Sequence, residues 1–242
     1  MVGRHKLAVV LAEFVGTYVL ATAMLAMLVR TNFEFFSAVA GAVVYGGFYL
    51  LFGSVSGSHL NPAVTLAQWT LRKISTVHAA VYIVVQVLAG LVAWKVGQYF
   101  LGQALSKTAT GGLDTRVLIA EGVGALIFGM AIGYVALNKE LEAPKKAVVL
   151  TGGLFAGIVV ASLASNGLLN PAVAIAARSI SWAYIVGPII GLILGVNIYN
   201  VVFGTGPIKV GSSNTSTTVV PSTKKPVAKA KPRAKAKTKA KK

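Results

Sequence analysis

The tetrapeptide Asn61-Pro62-Ala63-Val64 recurs as Asn170-Pro171-Ala172-Val173, 109 residues further along the chain. In each copy a polar Asn precedes a Pro. Pro suits the first turn of a helix, where its missing N–H would have had no partner, and an apolar run follows it. Both copies therefore read as helix starts. The rest of the chain belongs in a bilayer: of its 242 residues 55% are apolar and only six are acidic, and its mean hydropathy is +0.74. At bilayer depth an Asn amide costs free energy unless it finds partners or water. A pair of them points to a polar passage.

Six apolar stretches are long enough to cross, at residues 7–29, 35–52, 79–101, 117–137, 147–164 and 183–203. The first follows Arg4 and Lys6 as a secretory leader would, but it has spanning length and contains Glu13, so it reads as a span. An even number of spans puts both termini on one side. That side also holds Arg4, Lys6, Arg72, Lys73, Lys139, Lys145, Lys146 and Lys209, against Arg30, Lys107, Arg116 and Arg178 opposite, with Lys95 near the far end of the third span. The positive-inside rule makes this a multi-pass protein of the cell membrane with both termini cytoplasmic.

Glu13-Phe14-Val15-Gly16 in the first span is echoed by Glu121-Gly122-Val123-Gly124 in the fourth, which extends the repeat over residues 1–108 and 109–206. Three spans per repeat is odd, so the second half enters from the opposite face and the halves are inverted. The stretches 61–72 and 170–180 are too short to cross and read as re-entrant half-helices meeting at mid-depth around a continuous aqueous path. Gly187, Gly191 and Gly195, and Gly129 with Gly133, lie at helix-packing spacing. Residues 207–242 form a separate tail, whose last part carries ten of the 23 basic residues among Ala and Pro and reads as disordered.

These motifs resemble the aquaporin, or major intrinsic protein, family. The likeness covers about residues 7–204 and includes the loop Ser56-Gly57-Ser58-His59-Leu60-Asn61, the Glu13 and Gly16-Thr17 pattern, and Gly187-Pro188, which resembles the start of the family's last helix. The resemblance implies an all-α membrane protein with six transmembrane helices plus two re-entrant half-helices, usually a homotetramer, passing water and small neutral solutes such as glycerol. It assigns the pore motifs to Asn61, Pro62, Ala63, Asn170, Pro171 and Ala172. Counted without gaps, the family's selectivity filter falls on Gly41, Ile158, Gly167 and the position after the second motif. The family normally has Arg at that last place, whereas this chain has Val173. The implied filter is wide and apolar. Arg178 is more than one helical turn further on and faces another way.

At the centre two helix starts would face each other, their partial positive charges opposing cations, while Asn61 and Asn170 donate to a passing oxygen. Glu13 and Glu121 are costly in hydrocarbon, and the simplest resolution is that they accept from backbone N–H groups of the non-helical loops; proton carriage is the competing role. His59 resembles the family's loop histidine and is expected to bond within the loop, with pH gating as its alternative. Trp69, Trp94, Trp182, Tyr184 and Tyr199 read as headgroup anchors or packing residues. The basic tail fits weak contact with anionic lipid or nucleic acid.

A secondary transporter also uses inverted repeats, and a membrane anchor whose tail does the binding is the third reading. No cofactor is called for. Without cysteine, a metal-spaced His cluster or a paired carboxylate, the chain does not read as an enzyme, and no metal site is expected.

Overall fold

A computed structural model of the chain describes residues 4–30, 34–102, 104–105 and 112–204. The junction expected between residues 108 and 109 and the tail from 207 onward lie outside them. The described residues form eight helices: α1 (Arg4–Arg30), α2 (Glu34–Phe52), α3 (Pro62–Thr70), α4 (Thr76–Leu101), α5 (Thr115–Leu137), α6 (Ala143–Ala161), α7 (Pro171–Ala176) and α8 (Trp182–Phe203). Six of them, all but α3 and α7, are long and apolar enough to span a bilayer.

Local chemistry sets the helix ends. Ser75 caps α4, accepting from the His78 N–H, and Asp114 caps α5 by accepting from the N–H groups of Arg116 and Val117. The short helices stop in the same way. Arg72 and Arg178 take left-handed backbone angles (φ 56° and 58°) and donate to Trp69 O and Ile175 O, while the next residues, Lys73 and Ser179, donate to Gln68 O and Ala174 O. This is the 6→1, 5→2 closure usually given to Gly. It ends α7 at Ala176, well short of the expected residue 180. Gly187-Pro188 is not a helix start, because α8 begins at Trp182 and Pro188 lies inside it. Pro is tolerated inside a spanning helix where neighbouring groups take over the freed backbone bonding.

Much of the packing, though not the contact of α1 with α7, repeats when the halves are exchanged. α1 packs on α2 and α4 as α5 packs on α6 and α8; α3 lies against α8 as α7 lies against α4; and the axis passes between α2 and α6 and between α3 and α7. The starts of α1, α4 and α6 and the ends of α2 and α5 share one face, because His5, Ser75, Lys146, Tyr49 and Ala136 line a single cavity.

Glycine allows the backbone approaches. A Cβ on Gly191 would overlap the Gly122 carbonyl, one on Gly195 the Leu126 carbonyl, and one on Gly129 would stand 2.8 Å from Leu192 O. The glycine rows of α5 and α8 are thus each other's contact surface, held by van der Waals packing at backbone distance. Substituting Gly191→Leu places a side chain against main chain that cannot rotate away. It should lower thermal stability in detergent by about 1–3 kcal/mol or prevent folding. Gly152→Leu on α6, where a Cβ meets nothing within 4 Å, should leave the melting temperature within error of wild type.

Candidate permeation site

The site is built on two loops, residues 53–61 and 162–170, that run inward to the starts of α3 and α7. Each is held in a left-handed conformation that side chains rarely adopt: Gly57, Ser58 and Leu60 in the first (φ 87°, 47°, 52°), Gly167 and Leu169 in the second (59°, 50°). Such non-glycine residues cost about 1–3 kcal/mol each unless the surroundings compel them.

The compulsion comes from two fully buried carboxylates. Glu13 Oε1 accepts from Ser56 Oγ (2.7 Å) and the His59 N–H (2.9 Å), and Oε2 accepts from the Leu60 N–H and Gln86 Nε2 (both 2.8 Å). Glu121 repeats the pattern: Oε1 accepts from Ser165 Oγ (2.8 Å) and the Leu168 N–H (2.9 Å), and Oε2 from the Leu169 N–H (2.7 Å). Hydrogen bonds to a charged acceptor contribute about 1.5–3 kcal/mol each. Several on one carboxylate outweigh the strain of the loop they hold.

Strain at Leu60 and Leu169 has a structural result: it turns their carbonyls across the two-fold axis. Asn61 Nδ2 donates to Leu169 O and Asn170 Nδ2 to Leu60 O, both at 2.9 Å. Each Asn also caps its own helix, Asn61 Oδ1 accepting from the Ala63 N–H (2.8 Å) and Asn170 Oδ1 from the Ala172 N–H (2.9 Å). The starts of α3 and α7 therefore abut tip to tip, bonded through their own capping residues.

From the N-terminal face a cavity of about 920 Å³ runs inward as far as Tyr45, His59, Val64, Ile132 and Leu150. His59 Nδ1 lies 3.1 Å from Thr65 Oγ1 and its ring meets Tyr82 edge-on at 5.2 Å. Asn61 and Asn170 do not line this cavity, and both are buried. Further out, Gly41, Ile158 and Gly167 come together: Ile158 Cδ1 is 3.5 Å from where a Gly41 Cβ would stand, and its Cγ2 is 2.8 Å from the same point on Gly167. Ile158 and Val173 are 0% exposed. The room left by two glycines is taken by neighbouring side chains, among them Met24, whose sulfur lies 3.0 Å from the Gly41 position.

Other residues here were not singled out from sequence as site residues. Gln86 bridges Glu13 to Thr65 Oγ1 (3.0 Å); a lone amide in an apolar span was its signal. Ser56 and Ser165, at the repeat spacing, hold the two carboxylates. Tyr82 Oη donates to Ser56 O (2.7 Å), and Tyr184 Oη accepts from the Asn166 N–H (3.0 Å), so of its two expected roles Tyr184 takes the packing one. Trp94 packs under Arg178, whose guanidinium carbon is 4.5 Å from the ring centre.

Glu13→Gln keeps the volume but turns one acceptor oxygen into an amide that opposes either the His59 or the Leu60 N–H. It should cost about 2–4 kcal/mol in detergent unfolding, in keeping with a lost charge-assisted bond plus a buried unmatched donor. Glu13→Asp, too short to reach both N–H groups, should not rescue it.

The sequence profile of the major intrinsic protein family matches residues 3–199. The chain is 31% identical over 202 residues to glycerol uptake facilitator protein-like 6 of Lactiplantibacillus plantarum, covering 76% of this chain and 93% of that protein. It is 26% identical over 206 residues to nodulin-26 of Glycine max, with 79% and 76% covered. Its fold matches that of the aquaglyceroporin from Plasmodium falciparum with a TM-score of 0.63 at 18% identity, over 81% of this chain and 96% of that one. The chain belongs to the major intrinsic protein family.

Proposed function

We propose that the protein is a passive transmembrane channel for water and small neutral solutes such as glycerol. One observation carries this reading most directly: the reciprocal bonds from Asn61 to Leu169 O and from Asn170 to Leu60 O, which join two helix starts at mid-depth. Each amide has a second N–H beyond the one given to the loop, and that is the donor a permeating hydroxyl or water would use. The homologous glycerol facilitator supports glycerol-sized cargo. Members of this family are channels, which agrees with a non-enzymatic role.

The conduction path runs from the cavity at the N-terminal face, between the two Asn residues, to a filter at Gly41, Ile158, Gly167 and Val173. With Val173 where the family carries Arg, ions are excluded by two terms. The starts of α3 and α7 present partial positive charge to cations, and the apolar walls offer no replacement for an ion's hydration. A neutral solute loses less water on entering. Loop charges favour a cell-membrane orientation with both termini in the cytoplasm, and the outward-facing apolar surfaces of the spans suit lipid and a homotetramer. The basic tail serves weak contact with anionic lipid or nucleic acid.

Purified protein in liposomes should speed shrinkage and recovery under a glycerol gradient relative to protein-free vesicles while leaving ion conductance at background. Acceleration under a purely osmotic gradient of impermeant sugar, with none for glycerol or urea, would reduce the cargo to water alone. Deleting residues 212–242 should leave both fluxes unchanged, since the path lies in the helical body; loss of flux would transfer the function to the tail.

A further inference from the structure

The constriction is shut where the sequence leaves it most open. Gly41 on α2 and Gly167 in the second loop contribute no side chains, yet Ile158 and Val173 are untouched by any water-sized space. α1 supplies the missing bulk. Met24, itself 2% exposed, places its Sδ 3.0 Å and its Cγ 3.2 Å from the point where a Gly41 Cβ would stand, and Ile158 Cδ1 lies 3.5 Å from that point. Three helices therefore meet at a notch that is empty of its own side chain and filled by a neighbour's, and Ile158 links it to Gly167 in the second loop.

The residues around this notch differ in what they can do. Ile158 is β-branched and holds one helical rotamer strongly. The glycines have nothing to move. Met24 is unbranched, with three rotatable side-chain bonds and a polarizable thioether, and changing its outer torsions between staggered wells displaces the methylthio end without disturbing α1. Neither Gly41 nor Gly167 blocks the swing, since neither bears a side chain.

We infer that Met24 is the shutter and a specificity-determining residue of this pore, seated in the Gly41 notch when closed. This rests on the channel reading above. Opening exposes an apolar notch, and the dispersion contacts given up by the thioether are recovered only by a solute that brings carbon of its own. Small uncharged molecules with CH or CH2 faces, polyols among them, replace Met24 there; a single file of water does not. The residue thus favours such solutes over water.

The chain contains no cysteine, so Met24→Cys introduces a unique thiol. In liposomes this shortened side chain should raise water flux severalfold and lower the ratio of glycerol to water permeability. Methyl methanethiosulfonate, which attaches a methylthio group and rebuilds an arm of nearly methionine length, should return both toward wild type, and dithiothreitol should reverse the repair. A flux and ratio equal to those of a conducting wild type overturn the inference. So does a raised flux that persists after mass spectrometry shows full modification, or a thiol that never reacts, because a residue on the path must be reachable. If folded wild type and Met24→Cys both match protein-free vesicles, the channel reading itself fails.

Discussion

Each half of this protein hangs on a buried carboxylate bonded to the N–H of a left-handed leucine. Glu13 and Glu121 sit buried in spans, and the donors that satisfy them are main-chain N–H groups of the loops together with Ser56, Gln86 and Ser165 side chains. Binding them forces Leu60 and Leu169 into backbone angles that an isolated chain avoids, and those angles turn the leucine carbonyls toward the opposite half. Remove the carboxylate and the carbonyl loses its aim, so the Asn across the axis loses its acceptor. A single electrostatic contact therefore governs loop conformation, helix placement and the meeting of the two repeats.

The glycine contacts work on the same geometry from outside. Gly124 and Gly157 each sit so close to the other's carbonyl that no Cβ fits, and Gly90 stands equally close to Ala172 O. These approaches hold α5 on α6 and α4 on α7. They fix how far apart the two helix starts stand, and with the carboxylates they make a rigid frame. Within it an unbranched side chain, Met24, lies beside Gly41 and Ile158.

Much of this was legible in the residue order because the determinants are local or repeated. An Asn-Pro start, a Glu at the same distance before it and an odd count of spans leave few arrangements in a bilayer, where unbonded backbone is excluded. Span positions agreed with the helices to within several residues. The misreadings share a cause. α7 ends early because Arg178 adopts a left-handed turn that no local signal announces, and Gly187-Pro188 lies inside α8, where neighbouring packing tolerates a proline.

The sequence by itself determined a membrane-spanning repeat with two polar helix starts, since hydrophobic length, proline chemistry and the cost of buried charge act on neighbouring residues and need no third dimension. Only the tertiary structure decided what fills the space beside Gly41. A glycine specifies an absence, and the occupant, Met24, arrives from a different helix at a distance set by backbone packing. Side-chain volume is a property of a residue, whereas the gap it meets belongs to the assembled fold.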